Sequence, residues 1–291
     1  MIKDLFFIIN LFFVLLIYSS CNKNLEAEIP SYIEIEEFNY LNNDSSVIPH
    51  TDGYDNYQST NISDVWVSMN GQTIGVFEMP CTIPILSDGN HSFDLYPGIK
   101  VNGISGSREK YIFYEKYTTV ANLNKAVTQS IIPVTTYKKE TNYKFLEQGQ
   151  FEIDGTMLEK SGLSDTIAII QEDEVFQGKK SAAIYLDTPN TYFDVRTIEN
   201  LQNLTENTFL ELNFKSNISF NIGLVIVNSI EQKQELIQIY PTNVWKKIYL
   251  DLTPIISMGN SLSTYKIYID GYYDNNQPIN AVFIDNLKLV F

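Results

Sequence analysis

Hydrophobic and polar residues alternate with a period of two along most of the chain, which is typical of half-buried β-strands. In the first half, residues 65–69 alternate in this way, and Asn70-Gly71 then has the sequence of a type I′ hairpin turn. Ile74 and Val76 begin the return strand. The pattern therefore predicts a β-hairpin in this part of the chain.

The second half contains seven further runs of strand-like composition, separated by turn-rich spacers. The predicted strands are Ser181 to Asp187, Phe209 to Phe214, Ser219 to Val227, Glu235 to Tyr240, Lys246 to Leu252, Tyr265 to Ile269 and Ala281 to Phe291. Residues 199–207 and 254–258 could each form a helical turn, but neither is long enough to bury a helical face. Short, regularly spaced strands predict an all-β fold built from antiparallel β-sandwiches.

The first twenty residues do not follow this pattern. Lys3 precedes an apolar run, residues 5–17, which is shorter than the stretch of about 20 residues that spans a bilayer. The small pair Ser19-Ser20 then stands directly before Cys21. This order is typical of a secretory signal peptide, which we assign to residues 1–20.

The residues around Cys21 resemble the lipobox of bacterial lipoproteins, in the looser form common in the Bacteroidetes. Tyr18 stands where leucine is usual. The resemblance implies cleavage before Cys21, a lipid on its thiol, and attachment of the mature chain to a membrane. Asn22, rather than aspartate, follows the cysteine, which implies passage to the outer membrane.

The remaining chain divides into two parts. A charged stretch at 138–142 is the candidate linker. It gives a tether at residues 21–30, a first sandwich at 31–138 and a second sandwich at 143–291. About 270 residues after processing also favour two ordinary domains over one.

Three segments of the second half, residues 178–183, 243–247 and 282–289, resemble the galactose-binding-like jelly roll that many carbohydrate-binding modules share. The resemblance implies a jelly roll over 143–291, with Trp245 as a core residue and a glycan or another extracellular molecule as partner. In the first half, residues 65–75, 80–84 and 89–93 resemble immunoglobulin-like or transthyretin-like modules of the PEGA type. The whole chain resembles Bacteroidetes lipoproteins with this order of modules, which implies a fold and a location but no activity.

The chain carries 35 acidic and 20 basic residues, a net charge of -15, which removal of Lys3 and Asp4 with the signal peptide leaves unchanged. Such a chain is repelled by nucleic acid and by anionic lipid headgroups, so neither is an expected partner. With Cys21 lipidated, Cys81 is the remaining cysteine, and no intrachain disulfide can form. We expect Cys81 to be a small buried thiol.

The sequence offers no catalytic arrangement. Its two histidines, His50 and His91, lie in no nucleophile-like motif, and both are expected at the surface. Paired histidine ligands and phosphate-binding glycine loops are also absent from the sequence. We therefore expect a protein that is not an enzyme and has no organic cofactor.

Two predicted loops, residues 188–193 and 270–277, combine aromatic side chains with amides and acids, which is the composition of a sugar-binding surface. The candidate ligand-binding residues are Tyr192, Tyr272, Tyr273, Asp274 and Asn276. The alternative is a turn that carries tyrosines, with one ring packed on the end of the sheet.

Asp285 raises a separate question, because strand periodicity places it on the same face as Phe283 and Leu287. An unpaired carboxylate is costly in apolar surroundings. Three arrangements remain open: a bulge at Asp285-Asn286, hydrogen bonds from a neighbouring loop, or a bound structural calcium ion, which jelly rolls of the resembled kind often carry near the terminal strand.

Residues 165–167 match the O-glycosylation motif of exported Bacteroidetes proteins, with Thr166 as the modified residue. Taken together, the sequence predicts an exported, non-catalytic lipoprotein, tethered to the outer membrane through Cys21 and binding a glycan or another extracellular partner. The alternative is a structural accessory subunit that docks onto an outer-membrane protein complex without a small ligand.

Overall fold

The computed structural model describes residues 28–41, 59–146, 150–153, 158–277 and 279–291. The predicted lipidation site Cys21 and also His50 lie outside the described residues. The described residues form twenty-one strands and one short helix, which confirms the all-β prediction. Within them, no helix has the length and apolar content that crossing a membrane requires.

The first half forms ten strands in two layers. They are β1 Ser31–Ile35, β2 Asn39–Tyr40, β3 Asp64–Met69, β4 Gln72–Glu78, β5 Cys81–Ile85, β6 Gly89–Lys100, β7 Arg108–Lys110, β8 Tyr117–Leu123, β9 Thr128–Ser130 and β10 Val134–Thr135. One layer has the order β4-β3-β6-β7, with β8 also paired to β6, and the other has the order β5-β1-β9. A small sheet joins β10 to β2. The β1–β9 and β2–β10 pairs are parallel, which the antiparallel prediction did not include.

The predicted hairpin is confirmed at Asn70-Gly71, where both residues have positive φ, 51° and 79°. Two successive positive φ values match the right-handed twist of the flanking strands. The core of this half lies between its two layers and contains alternate residues of β1, β3, β5, β6 and β8.

The second half is a sandwich of two antiparallel sheets. Its elements are β11 Tyr143–Phe145, β12 Leu158–Lys160, β13 Ala168–Gln171, β14 Ser181–Leu186, β15 Tyr192–Thr197, β16 Phe209–Ser216, β17 Phe220–Val227, β18 Gln232–Ile239, β19 Thr242–Asp251, α1 Thr253–Ile256, β20 Thr264–Tyr272 and β21 Asn280–Val290. The six-stranded sheet has the order β13-β14-β21-β16-β19, with β11 paired to β21. The five-stranded sheet has the order β12-β15-β20-β17-β18. The largest core cluster of the molecule lies between these two sheets.

All seven predicted strands of this half are present, with ends shifted by a few residues. One shift matters for the binding prediction. β20 continues to Tyr272 and β15 begins at Tyr192, so both tyrosines lie on strands and not on loops. The predicted helical turn at 254–258 corresponds to α1, whereas residues 199–207 form no helix.

The two halves meet through a third core cluster, which is rich in aromatic rings. Tyr111 from the first half packs edge-on against Phe209 of the second half, and its ring is tilted by 59° to that of Tyr249. The stretch predicted as a linker bonds to both halves: the N–H of Lys138 donates to the carbonyl of Phe113, and Asn142 exchanges two backbone hydrogen bonds with Phe291.

Candidate functional site

The outward surface of the five-stranded sheet carries an unusual set of polar side chains for a strand face. On β15, Phe193 and Val195 enter the core, so Tyr192, Asp194 and Arg196 lie on the opposite face. On β20 the same alternation places Tyr268, Asp270 and Tyr272 outward. We call the surface formed by Tyr192, Asp194, Asn221, Lys233, Asp270 and Tyr272 the outer-face site.

Tyr192 and Tyr272 are directly opposite each other on paired strands. Their ring centroids are 4.7 Å apart and the ring planes are tilted by 33°. Tyr272 is 67% exposed, whereas Tyr192 is partly buried. The pair is therefore a tilted ring contact with one largely exposed ring, which can pack against the apolar face of a ligand.

Lys233 of β18 connects two carboxylates beside the tyrosine pair. Its Nζ lies 2.9 Å from Asp194 Oδ2 and 2.5 Å from Asp270 Oδ2. Burial disfavours the charge on Lys233, but the hydrogen bonds to Asp270 and Asp194 outweigh it and raise its pKa. The ammonium group is therefore held in the charged form between two buried or nearly buried acids.

Further hydrogen bonds fix the same carboxylates. Asn221 Nδ2 donates to Asp270 Oδ1 at 3.0 Å, and the Tyr192 hydroxyl donates to Asp270 Oδ2 at 3.3 Å. Burial, followed by the charges of Asp270 and Asp194, raises the pKa of Tyr192 to about 12. The Tyr192 hydroxyl is therefore protonated at neutral pH, and it donates its proton to Asp270.

Tyr268 forms the floor beneath Lys233, whose Nζ lies 4.1 Å from the centre of the ring. Gly223 on the neighbouring strand makes room for this ring, because a Cβ there would lie 2.7 Å from Tyr268 Cε1 and 2.1 Å from the carbonyl of Gln234. Because Gly223 has no side chain, the ring of Tyr268 can lie close to this strand and support Lys233.

The outer-face site combines two tyrosine rings in contact with hydrogen-bond donors and acceptors that are held in fixed positions. The exposed face of Tyr272 can accept the apolar face of a sugar ring. The carboxylate of Asp270 and the phenol oxygen of Tyr192 can accept hydrogen bonds from hydroxyl groups, whereas the side chain of Asp194 is only 1% exposed and holds Lys233 in place. A flat, rigid arrangement of this kind suits binding, since its groups hold one another in place.

The structure separates the residues that the sequence grouped together. Tyr273 is partly buried against the core, which matches the alternative of a ring packed on the sheet end. Asp274 Oδ1 accepts hydrogen bonds from the backbone N–H and from Nδ2 of Asn276, so these two residues stabilise their own turn. Of the five predicted residues, the outer-face site includes Tyr192 and Tyr272.

Sequence reasoning missed Asp194, Asn221 and Lys233 as members of the site. A signal was present in the alternation of Tyr192, Asp194 and Arg196, where polar residues recur on one face of an otherwise apolar strand. Lys233 could not be linked to them in this way, because the sequence does not show which strands are paired with which.

Asp285 lies on the outer side of the six-stranded sheet. A register shift occurs next to it in β21, and Asn286 has a positive φ of 52°. The carboxylate accepts hydrogen bonds from the backbone N–H groups of Gln177 and Asn286. Two of the three open arrangements, the bulge and the loop hydrogen bonds, are therefore present together, and a calcium ion at Asp285 stays an open alternative.

Several other predicted residues can also be placed. Thr166 is partly exposed in a turn where its carbonyl accepts a hydrogen bond from Ser164. His91 lies at the start of β6, with ring nitrogens 2.9 Å from Asn70 Nδ2 and 2.8 Å from Ser87 Oγ. Among the described residues, no cluster of three or more His, Cys, Asp or Glu could hold a metal ion.

Two burial predictions are wrong in degree. Cys81 is only partly buried, although burial still raises the pKa of its thiol. Trp245 was expected in the core, but it is partly exposed on the outer side of the six-stranded sheet, where it contacts Phe176 and Phe283. Trp245 lies near the start of β19, as expected, but the register of β19 directs its side chain away from the sandwich interior.

No protein-family model matches the chain, and no curated protein matches it. Among solved structures, the chain is similar to a carbohydrate-binding module from the β-sandwich superfamily studied for promiscuous specificity, with 12% identity, 77% of this chain and 83% of the other covered, and a TM-score of 0.38. It is also similar to a family 61 carbohydrate-binding module in complex with β-1,4-galactotriose, with 12% identity, 50% and 97% covered, and a TM-score of 0.34. A family 29 module has 14% identity, 52% and 89% covered, and a TM-score of 0.36. At these values the similarities transfer no residue role or ligand to this chain.

Proposed function

We propose that this protein is a non-catalytic glycan-binding lipoprotein that uses the outer-face site of its second half. The observation that carries the proposal is the Tyr192–Tyr272 stack beside the Asp194–Lys233–Asp270 cluster. An open aromatic face next to fixed hydrogen-bonding groups is what a sugar ring requires, since one side of the ring is apolar and its rim carries hydroxyl groups.

The proposed location rests on the sequence of the first twenty-two residues. The apolar run, the small pair before Cys21 and the residue after it support export and attachment to the outer membrane through lipid on that cysteine. A tether of this kind keeps a binding module at the cell surface. Modification of Thr166 would be compatible with export, because that residue is partly exposed.

The test is binding of the purified full chain to a broad glycan array. We expect binding that is lost in the Tyr192→Ala/Tyr272→Ala variant. The matched control is Tyr185→Ala, which removes a tyrosine that is 39% exposed on the other sheet. Binding that persists in the double variant would contradict this site.

A different result would favour the accessory-subunit alternative. No binding to any glycan, together with recovery of one stoichiometric membrane-protein partner in a pull-down with the lipidated chain, would contradict glycan capture. Equal recovery of that partner with the Tyr192→Ala/Tyr272→Ala variant would show in addition that the outer-face site is not the docking surface.

A further inference from the structure

A cleft of about 650 Å³ lies where the first half of the molecule meets the edge of the six-stranded sheet at β19. Residues 59–63 and 100–105 of the first half form one wall. The opposite wall comes from the second half and includes Phe176 and residues 245–248. Its volume falls within the range of about 300–1,000 Å³ that is typical of small-molecule sites. The outer-face site lies on the other sheet and shares no residue with it.

The wall from the second half is aromatic. Trp245 contacts Phe176 with ring centroids 5.8 Å apart and a tilt of 58°. Phe283 supports Trp245 from the sheet, at 6.5 Å between centroids. Tyr240, which is 72% exposed, also lines the cleft. This wall offers apolar ring faces to a ligand, and the sandwich core does not use them.

The charge of the lining is opposite to that of the chain. The protein has a net charge of -15, yet the residues lining this cleft include three lysines and no aspartate or glutamate. Lys100 pairs with Glu78, outside the lining, at 2.8 Å. Lys246 is exposed and has no hydrogen-bond or ion-pair partner among the described residues.

Lys247 is a further lysine of the cleft lining, and it is buried. It shares the carboxylate of Glu211 with Lys288, at distances of 2.6 Å and 3.2 Å. Glu211 therefore offsets part of the charge that Lys247 brings to the cleft wall. Charges in a partly buried cleft are screened less than charges on the distant surface, so the three lining lysines favour an anionic ligand there.

The wall from the first half is polar and neutral. Ser59, Asn61, Ser63 and Asn102 line it with hydroxyl and amide groups. Asn61 and Asn102 are held in place by hydrogen bonds to the backbone of Lys247 and Asp251, so their orientation is fixed before a ligand arrives. A ligand that fills this cleft should therefore carry hydroxyl groups on one side, an apolar face on the other and a negative charge.

We propose that this cleft is a second binding site, specific for an acidic saccharide that carries a carboxylate or a sulfate. A sugar ring packs against Trp245, its acidic group pairs with Lys246, and its hydroxyl groups contact Asn61 and Asn102. The saccharide class rests on the proposed function, whereas the negative charge of the ligand rests on this cleft alone.

The experiment is calorimetric titration of the full chain with uronic-acid and sulfated oligosaccharides, each compared with its methyl-esterified or desulfated counterpart. We expect at least one acidic form to bind and its neutral counterpart to bind about tenfold more weakly or not at all. Binding should weaken as ionic strength rises from about 0.05 to 0.5 M. Equal affinity for both forms, or no binding by any acidic form, would overturn the proposal.

The variants Trp245→Ala and Lys246→Glu should each weaken acidic-saccharide binding by about tenfold or more. The matched control is Lys125→Glu, an exposed lysine outside the cleft lining, which should bind like the wild type. Lys246 is exposed, so its substitution tests binding without disturbing the fold. Unchanged affinity in Lys246→Glu would contradict the proposal, and so would equal competition by an acidic peptide.

The proposals for the two sites can be contradicted independently, because the sites share no residue. If acidic binding depends on Trp245 and persists in Tyr192→Ala/Tyr272→Ala, the cleft proposal stands whatever the outer-face site does. If instead glycan binding is lost only in the tyrosine variant, the proposed function stands and the cleft proposal is wrong.

Discussion

The carboxylate of Glu211 lies 2.6 Å from the ammonium group of Lys247, and both side chains are buried between the two halves of the molecule. The same carboxylate accepts hydrogen bonds from the hydroxyls of Tyr111 and Tyr137, which come from the first half. Burial opposes the charge on Glu211, but the charges of Lys247 and Lys288 outweigh it and lower its pKa to about 2. One carboxylate thus connects side chains from both halves.

The first prediction concerns this carboxylate. Glu211→Gln removes the carboxylate that pairs with the buried ammonium groups of Lys247 and Lys288. We expect the free energy of unfolding to fall by about 3–5 kcal/mol, as is usual when one partner of a buried ion pair is removed. Urea denaturation of the full chain measures it. The control Glu109→Gln, at an exposed position, should be within about 0.5 kcal/mol of the wild type.

A second prediction concerns the pH dependence of stability at Asp285. Burial raises its pKa to about 8, against the opposing hydrogen bonds from the backbone N–H groups of Gln177 and Asn286. Because the folded state then holds the proton more tightly than the unfolded state, the contribution of Asp285 is greatest below about pH 4 and is lost as the pH rises to about 8.

Unfolding of the wild type and of Asp285→Asn should therefore be compared between pH 4 and about 8. As the pH rises, the free energy of unfolding of Asp285→Asn should increase steadily relative to that of the wild type. Asp88→Asn, at an exposed carboxyl, should show no such trend. A constant difference for Asp285→Asn would mean that the carboxyl keeps its ordinary pKa.

A third prediction concerns calcium at the same residue. The oxygens of Asp285 already accept hydrogen bonds from backbone N–H groups, whose partial positive charge opposes a cation. We expect the melting temperature of the full chain to be the same in excess calcium and in a chelator. A rise with calcium in the wild type that is absent in Asp285→Asn would instead establish a structural calcium site.

A fourth prediction links the fold to the outer-face site through Gly223. A Cβ at this position would lie 2.1 Å from the carbonyl of Gln234 and 2.7 Å from the ring of Tyr268. Gly223→Ala should therefore lower the free energy of unfolding by about 1–3 kcal/mol. It should also weaken glycan binding, since Tyr268 supports Lys233. Gly106→Ala, where a Cβ meets open space, is the control for both measurements and should change neither.

A fifth prediction tests the lipid anchor. The wild-type chain expressed with its first twenty residues should partition into the detergent phase, because acyl chains contribute about 0.8 kcal/mol per buried methylene. Cys21→Ser should move it to the aqueous phase. Cys81→Ser is the matched control, and it should partition like the wild type. Detergent partitioning of Cys21→Ser would contradict lipidation at this residue.

The sequence by itself determined the all-β fold and most of the strands. Alternation with a period of two is a local property, so residues 65–69 and the hairpin at Asn70-Gly71 could be assigned without knowing the rest of the structure. It also gave Tyr192 and Tyr272 as candidate ligand-binding residues, on two separate predicted loops. It did not place Tyr192 and Tyr272 on strands, because the end of a strand depends on the length of the strand with which it pairs.

The tertiary structure alone decided which side chains meet. Lys233 reaches Asp194 and Asp270 because β18, β17, β20 and β15 are neighbours, and such pairing between distant segments cannot be derived from alternation. The bulge at Asn286 reversed the face of β21, and the register of β19 directed Trp245 outward into a cleft. A period-two pattern gives two faces to each strand, but strand register and the packing of the two halves determine what each face contacts.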